Sequence, residues 1–468
     1  IPPDKWATCG TWQLGAGSKV PANGGKVLDA EKLHEEAGTT LLKSAQPNVV
    51  AAAPDAALMT VKMWVMVLLT GIGSGLTSGL LMRLLHLVQH LSFSYSRGDF
   101  LSGIRNTSGE HRIIVVSLGG VIAGLSLYLL RRFTGGSGPE ITGAIWHKQG
   151  EFEAAPTLAK SLISIVIVGM GAAIGREAAL KDMGATVAGK LSDWTSLSPD
   201  QRHLLVACGA GAGMAAAYNV PLGGALFAIE VLLGTMSLTN VLAAVITSFL
   251  AVAVSWLLLP NIPTFDVVRL SITPSLLVWA AVAGPILGVA SAVYVRFIGW
   301  SETGKPRRYM VMIAPMLVFL GLGVVSVRFP EILGNGKNVV QEAFGSQLGT
   351  GLLCWLLVLR PLATAMCLKS GAPGGLFTPT MTFGALLGGL LGEGWSYLAP
   401  ATAKDSYAIV GAGAMLASAS QGPVSSVVFM LELTNHTDTL IVPLLIAVAG
   451  ATLMARKLEV HSIYSIRG

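Results

Sequence analysis

Three glycine-rich turns and one glutamate carry the chemistry this sequence can do. GGSGPE at 135–140, GREAA at 175–179 and GGLFTP at 374–379 each read as a break from which a new helix starts. The first N–H groups of a helix have no partner within it, and the dipole adds about half a positive charge there. Such ends hold small anions. A full basic side chain inside a bilayer would hold a dehydrated anion too tightly for rapid passage, whereas these partial charges permit entry and release. Glycine lets the backbone approach an ion, and Pro139 suits the first turn of a helix because it has no N–H to lose. Glu177 stands in the second turn. Its ionised carboxylate can occupy an anion site and compete for the same N–H groups, and protonation would move it aside; a carboxylate at membrane depth is a functional candidate by default.

The elements that must position these groups are membrane helices. The chain has 468 residues, 52% hydrophobic and only 12% charged, against about 25% charged in soluble proteins. Uncharged runs at 63–82, 113–130, 204–229, 270–295 and 406–431 each approach or exceed the ~20 residues of a spanning helix. Barrel strands would need alternating polarity, which is missing, so the fold class is all-α. Arg83, Arg131, Arg132, Arg307, Arg308, Arg456 and Lys457 flank apolar runs and read as interfacial anchors. The net charge of +6 therefore points to a lipid surface as partner, not to nucleic acid. Cys9, Cys208, Cys354 and Cys367 have no paired spacing, so neither a disulfide nor a metal centre is expected. His86 and His90 share a helical face, but no further ligand completes a metal site nearby. Residues 1–58 are polar, rich in Gly, Ala and Pro, and begin at Ile1 rather than Met; they read as a tail at a truncated start.

An internal repeat organises the remainder. GAGAGMAAAYNVPLGGALFAIE from Gly209 aligns without gaps on GAGAMLASASQGPVSSVVFMLE from Gly411, an offset of 202 with nine identities in 22 positions. Pro221 meets Pro423, Phe227 meets Phe429, and Glu230 meets Glu432. The same offset lays GMGAAIGREAAL from Gly169 over GAPGGLFTPTMT from Gly371. Two related halves, roughly 59–260 and 270–468, with helices broken at matching places, are the pattern of transport proteins whose site lies at the repeat interface. An organic-anion transporter would need a fixed Arg in these turns, for which Arg176 is the candidate, and a membrane enzyme would need a polar catalytic cluster that the sequence lacks. An enzyme is not expected.

The turns, in this order, resemble the GSGIP-, GREGP- and GGxFxP-type motifs of the CLC family of chloride channels and chloride/proton antiporters. FPEILGNGKN from Phe329, CLKSGAPGGLFTP from Cys367 and the terminal IYSIRG extend the similarity over residues 59–468. The resemblance implies an inverted-repeat bundle of tilted, partly broken helices, multi-pass in the bacterial inner (plasma) membrane. It implies a homodimer with a pore in each subunit, chloride as the transported ion, no cofactor, and no cytosolic regulatory domains after Tyr464. It assigns anion contacts to the Ser137 hydroxyl, the Leu376 and Phe377 N–H groups and the Tyr464 phenol, all neutral donors, with Ser137 the residue that goes with chloride. Glu177 takes the place of the gating glutamate, and Lys160 that of a lysine that sets potential along the path. The sequence departs from the family in GREAA for GREGP, in one residue fewer before Pro139, and in Val231 where transporters carry a proton-transfer glutamate. Valine cannot carry a proton, so a channel or weakly coupled transporter is expected. Glu230 and Glu432 read as structural helix residues.

Overall fold

The computed structural model describes residues 59–95, 99–134, 140–267, 272–399, 405–435 and 437–467; the expected tail, 1–58, lies outside them. Among the described residues there are seventeen α-helices and no strands. The earlier ones are α1 (Val61–Phe93), α2 (Phe100–Asn106), α3 (Gly109–Thr134), α4 (Ile141–Lys148), α5 (Ala154–Gly169), α6 (Glu177–Thr195), α7 (Pro199–Tyr218), α8 (Pro221–Phe227) and α9 (Leu238–Ser255). A π-helical stretch, Ala228–Leu233, prolongs α8. Then follow α10 (Pro274–Glu302), α11 (Met310–Arg328), α12 (Lys337–Phe344), α13 (Thr350–Lys369), α14 (Phe377–Ser396), α15 (Asp405–Ser420), α16 (Pro423–Thr434) and α17 (Thr437–Lys457). Helices α1, α3, α9, α10, α11, α13 and α17 are each long and apolar enough to cross a bilayer. Their starts follow ordinary chemistry. Ser198 and Gln201 form a reciprocal capping box ahead of Pro199, and Thr273 caps α10 ahead of Pro274.

Two of the apolar runs are not single spans. The run 204–229 divides between α7 and α8, and 406–431 divides between α15 and α16. The cause is the same in both. Asn219 and Gln421 adopt the left-handed conformation, with φ of 58° and 59°, and a proline two residues later opens the next helix. Hydropathy is blind to this, because neither the turn nor the proline lowers the apolar count.

The repeat is visible as a local two-fold arrangement. Gly175 and Gly375 pair as an isolated antiparallel bridge, with N–H···O distances of 2.9 and 2.6 Å in the two directions. Glu432 accepts from the N–H groups of Leu222 (3.0 Å) and Gly223 (2.7 Å) at the start of α8. Reciprocally, Glu230 accepts from Val424 (3.0 Å) and Ser425 (2.6 Å) at the start of α16. Each glutamate thus caps the short helix of the other half, neutralising orphan donors and the positive helix end. Glu230 is a structural residue engaged in this way.

The register of the repeat needs one correction. Helices α5 and α13 end at 169 and 369, positive-φ glycines stand at 171 and 371, and α6 and α14 start at 177 and 377. Around these turns and at Gly184 and Gly384 of α6 and α14 the structural offset is 200, and it is 202 at Gly209 and Gly411 of α7 and α15 and at the C-terminal ends of those helices. The ungapped alignment of 169–180 on 371–382 is therefore out of step by two.

Close backbone contact holds the broken helices together. A Cβ on Gly209 would lie 2.5 Å from the Gly184 carbonyl, and one on Gly384 would lie 2.7 Å from the Gly411 carbonyl, so α6 on α7 and α14 on α15 pack through matching glycines. Gly71 and Gly79 of the 71/75/79 spacing pack α1 onto α9 in the same way, against the Thr247 carbonyl and Leu258. Glu230→Ala and Glu432→Ala should each cost about 1–3 kcal/mol by leaving two amides without their acceptor. Thermal unfolding in detergent should show comparable losses for the two; a loss confined to one would contradict the symmetric capping.

Candidate anion site

Glu177 is the first residue of α6, and the Gly175 bridge aims it across to the start of α14. It is buried, 3% exposed. One carboxylate oxygen accepts from the Phe377 N–H at 2.6 Å and, more distantly, from the Thr378 N–H at 3.4 Å. The other lies 3.2 Å from the Thr378 hydroxyl and 3.3 Å from the Tyr218 phenol; these hydroxyls are 2.8 Å apart, so, with one proton each, one of them donates to the carboxylate while the other donates to its neighbour. A carboxyl oxygen thus sits on the open amides of a helix N-terminus. That is the position in which a small anion would be solvated.

No ion pair to Glu177 exists among the described residues, so neither Arg176 nor Lys181 neutralises it. Arg176 lies with its guanidinium 4.9 Å from the Tyr218 ring centroid. Lys181 turns to the start of α4, where its Nζ is 2.7 Å from the Thr142 hydroxyl and 3.5 Å from Glu140. The starts of α4, α6 and α14 therefore converge. Glu140, Glu177, Lys181, Leu376 and Tyr464 line one small cavity.

Tyr464 reaches this cavity from the end of the chain. The Ile463 N–H donates to the Ala419 carbonyl (2.8 Å) and the Ser462 hydroxyl to the Ser420 carbonyl (2.9 Å), which docks the segment on the end of α15. The Tyr464 ring packs edge-on against Phe227 at 5.5 Å, Phe227 against Phe429 at 6.3 Å, Phe429 against Phe377 at 4.8 Å and Phe377 against Tyr218 at 5.7 Å. This aromatic chain joins the two halves beside the carboxylate.

The motif FPEILGNGKN braces the turn behind Glu177. Gly334 N–H donates to the Gly171 carbonyl at 2.9 Å, and Arg360 donates to the carbonyls of Ile332 (2.8 Å) and Gly334 (3.0 Å). Gly336 has φ of 96°, which a side chain would strain, and an added Cβ there would strike Arg360 and Thr382.

The structure thus brings together Glu177, Leu376, Phe377 and Tyr464. Ser137 lies outside the described residues, as does Pro139. Helix α4 begins at Ile141, after a cap at Glu140. Val231 is buried in the π-helical stretch, and the Trp146 indole donates to its carbonyl at 3.3 Å. Lys160 is half-buried on α5. Sequence reasoning missed Tyr218 and Thr378, whose partners are some 40 to 200 residues away. Lys181 also lines the cavity and was not singled out as a site residue; its spacing of four from Glu177 on one helix face was the available signal.

Residues 119–456 match the family model described as voltage gated chloride channel. The voltage-gated ClC-type chloride channel ClcB of Escherichia coli is 31% identical over 388 residues, covering 81% of this chain and 92% of its own. ClcB of Citrobacter koseri is 30% identical over 378 residues, covering 78% and 89%. The fold is similar to a slow cyanobacterial Cl-/H+ antiporter, with TM-score 0.77, 20% identity and coverage of 87% of this chain and 97% of that one. A CLC-type fluoride/proton antiporter gives TM-score 0.70 at 19% identity, covering 86% and 97%. The chain belongs to the voltage-gated chloride channel, or CLC, family and is a multi-pass integral membrane protein.

Tyr218→Phe should alter the carboxylate stretching band that Glu177→Gln removes in infrared difference spectra of the purified protein, because the hydroxyl pair that solvates one carboxylate oxygen loses a member. A band unmoved by Tyr218→Phe would show that the phenol does not reach Glu177.

Proposed function

We propose that this protein carries chloride across a bacterial inner membrane through a passage at the interface of its two halves, with Glu177 as the gate. The single observation that carries this reading is the Glu177 carboxylate on the Phe377 and Thr378 amides. In this reading the seated carboxylate occupies the anion's place, and its neutral form releases those amides to chloride. Ser137, Leu376, Phe377 and Tyr464 serve as anion contacts, all of them neutral, with Lys160 adding to the potential along the path. Family membership supports chloride as the ion. The halves are 59–260 and 270–468, the assembly is a homodimer with one pore per subunit, and no cofactor takes part.

Coupling to protons is weak or absent in this proposal, because Val231 offers no titratable group and Glu230 is committed to capping α16. The alternative is proton-coupled antiport, which the two structurally similar antiporters favour. Simultaneous chloride and proton recording from liposomes decides between them. An imposed chloride gradient should move chloride without driving protons uphill. Uphill proton movement that vanishes in Glu177→Gln would establish antiport instead.

Gating predicts a second outcome. Glu177→Gln holds the side chain permanently neutral, so chloride flux at neutral pH should rise about tenfold or more, the factor of one lost charge-assisted hydrogen bond, and should lose its dependence on pH. Flux that stays pH-dependent in the variant would remove Glu177 from the gating role.

A further inference from the structure

The anion passage contains a cation that a set of neutral donors does not account for. Lys181 is 3% exposed and four residues beyond Glu177, so both side chains project from one face of α6. Its ammonium lies 5.5 Å from the centroid of the Tyr464 ring, and it lines the cavity together with Glu177, Leu376 and Tyr464. Its partners do not saturate it. An ammonium has three N–H donors; among the described residues Thr142 takes one at 2.7 Å, and Glu140 stands off at 3.5 Å, beyond the 2.7–2.9 Å of a tight charge-assisted bond. A lysine placed solely to hold α4 against α6 would close on its carboxylate. Here the pair is held slightly apart, beside the space where the ion must pass.

We propose that Lys181 is a specificity-determining cation of the chloride passage, with Glu140 trimming its charge so that the pair sets how tightly the anion is held. The inference rests on the chloride-transport reading above and adds a charged contact to it. The physical need is plain. A bare buried ammonium next to a halide in a poorly polarisable interior would bind it too strongly for release. A carboxylate 3.5 Å behind that ammonium cancels most of its field at a distance and leaves a local attraction on the near side. The arrangement also explains the start of α4, where a cation would otherwise face the positive end of a helix dipole. Glu140, at the cap position, compensates both.

The two residues should therefore move chloride affinity in opposite directions. Titration calorimetry of chloride into purified protein, in an isethionate background, measures the affinity; chloride efflux from liposomes measures turnover. Lys181→Met should weaken chloride binding by at least about tenfold, and Glu140→Gln should tighten it by a similar factor while slowing efflux. The double variant, which restores neutrality and guards against misfolding of Lys181→Met alone, should bind chloride with an affinity between those of the two single variants. Affinities that fall in both single variants, or stay unchanged in both, would overturn the proposal and leave the pair a packing device. If Lys181→Met does not fold, Glu140→Gln and the double variant decide: tightening in the first that the second abolishes supports the proposal, and any other pattern defeats it. Failure of the unaltered protein to pass chloride would count against the transport reading, whereas normal chloride flux with no opposite shift counts against this inference alone.

Discussion

Open amides at the start of α14, met by a carboxylate from the start of α6, are the interaction on which the rest of the structure depends. Phe377 and Thr378 present N–H groups that no helical carbonyl can take, and Glu177 fills them from the other half of the molecule. Buried donors must be satisfied. In a helix-only membrane fold they are satisfied by another residue or by an ion, and that choice is the basis of the gate proposed above.

Much of the architecture exists to bring two helix ends face to face. The Gly175–Gly375 bridge joins the two turns directly, while Arg360 and the loop at 329–337 hold the Gly171 turn from behind. Glycine contacts between α6 and α7 and between α14 and α15 allow the helices to approach closely enough. The reciprocal caps from Glu230 and Glu432 tie the short helices of the two halves. The bridge, the glycine contacts and the caps each have a counterpart in the other half or lie between equivalent residues. A duplicated sequence folded about a two-fold axis supplies opposed helix ends as a consequence of its symmetry.

Particular residues show how far the sequence could be read. The glycine and proline punctuation located the breaks and the family, because a positive-φ glycine or a proline at a helix start is a local requirement written in one residue. Reading stopped where the requirement was long-range. The runs at 204–229 and 406–431 look continuous by hydropathy, and only the αL residues Asn219 and Gln421 divide them. Tyr218, Thr378 and Lys181 matter through partners far along the chain, so no spacing rule reveals them except the four-residue step from Glu177 to Lys181.

Anomalous diffraction from Glu177→Gln crystals grown in bromide tests the central claim most directly. The account predicts a bromide peak within hydrogen-bonding distance of the Phe377 and Thr378 N–H groups, in the place the carboxylate oxygen holds in the unaltered protein. Crystals in which those amides are met only by water or by the glutamine, with bromide bound elsewhere along the protein, would contradict it.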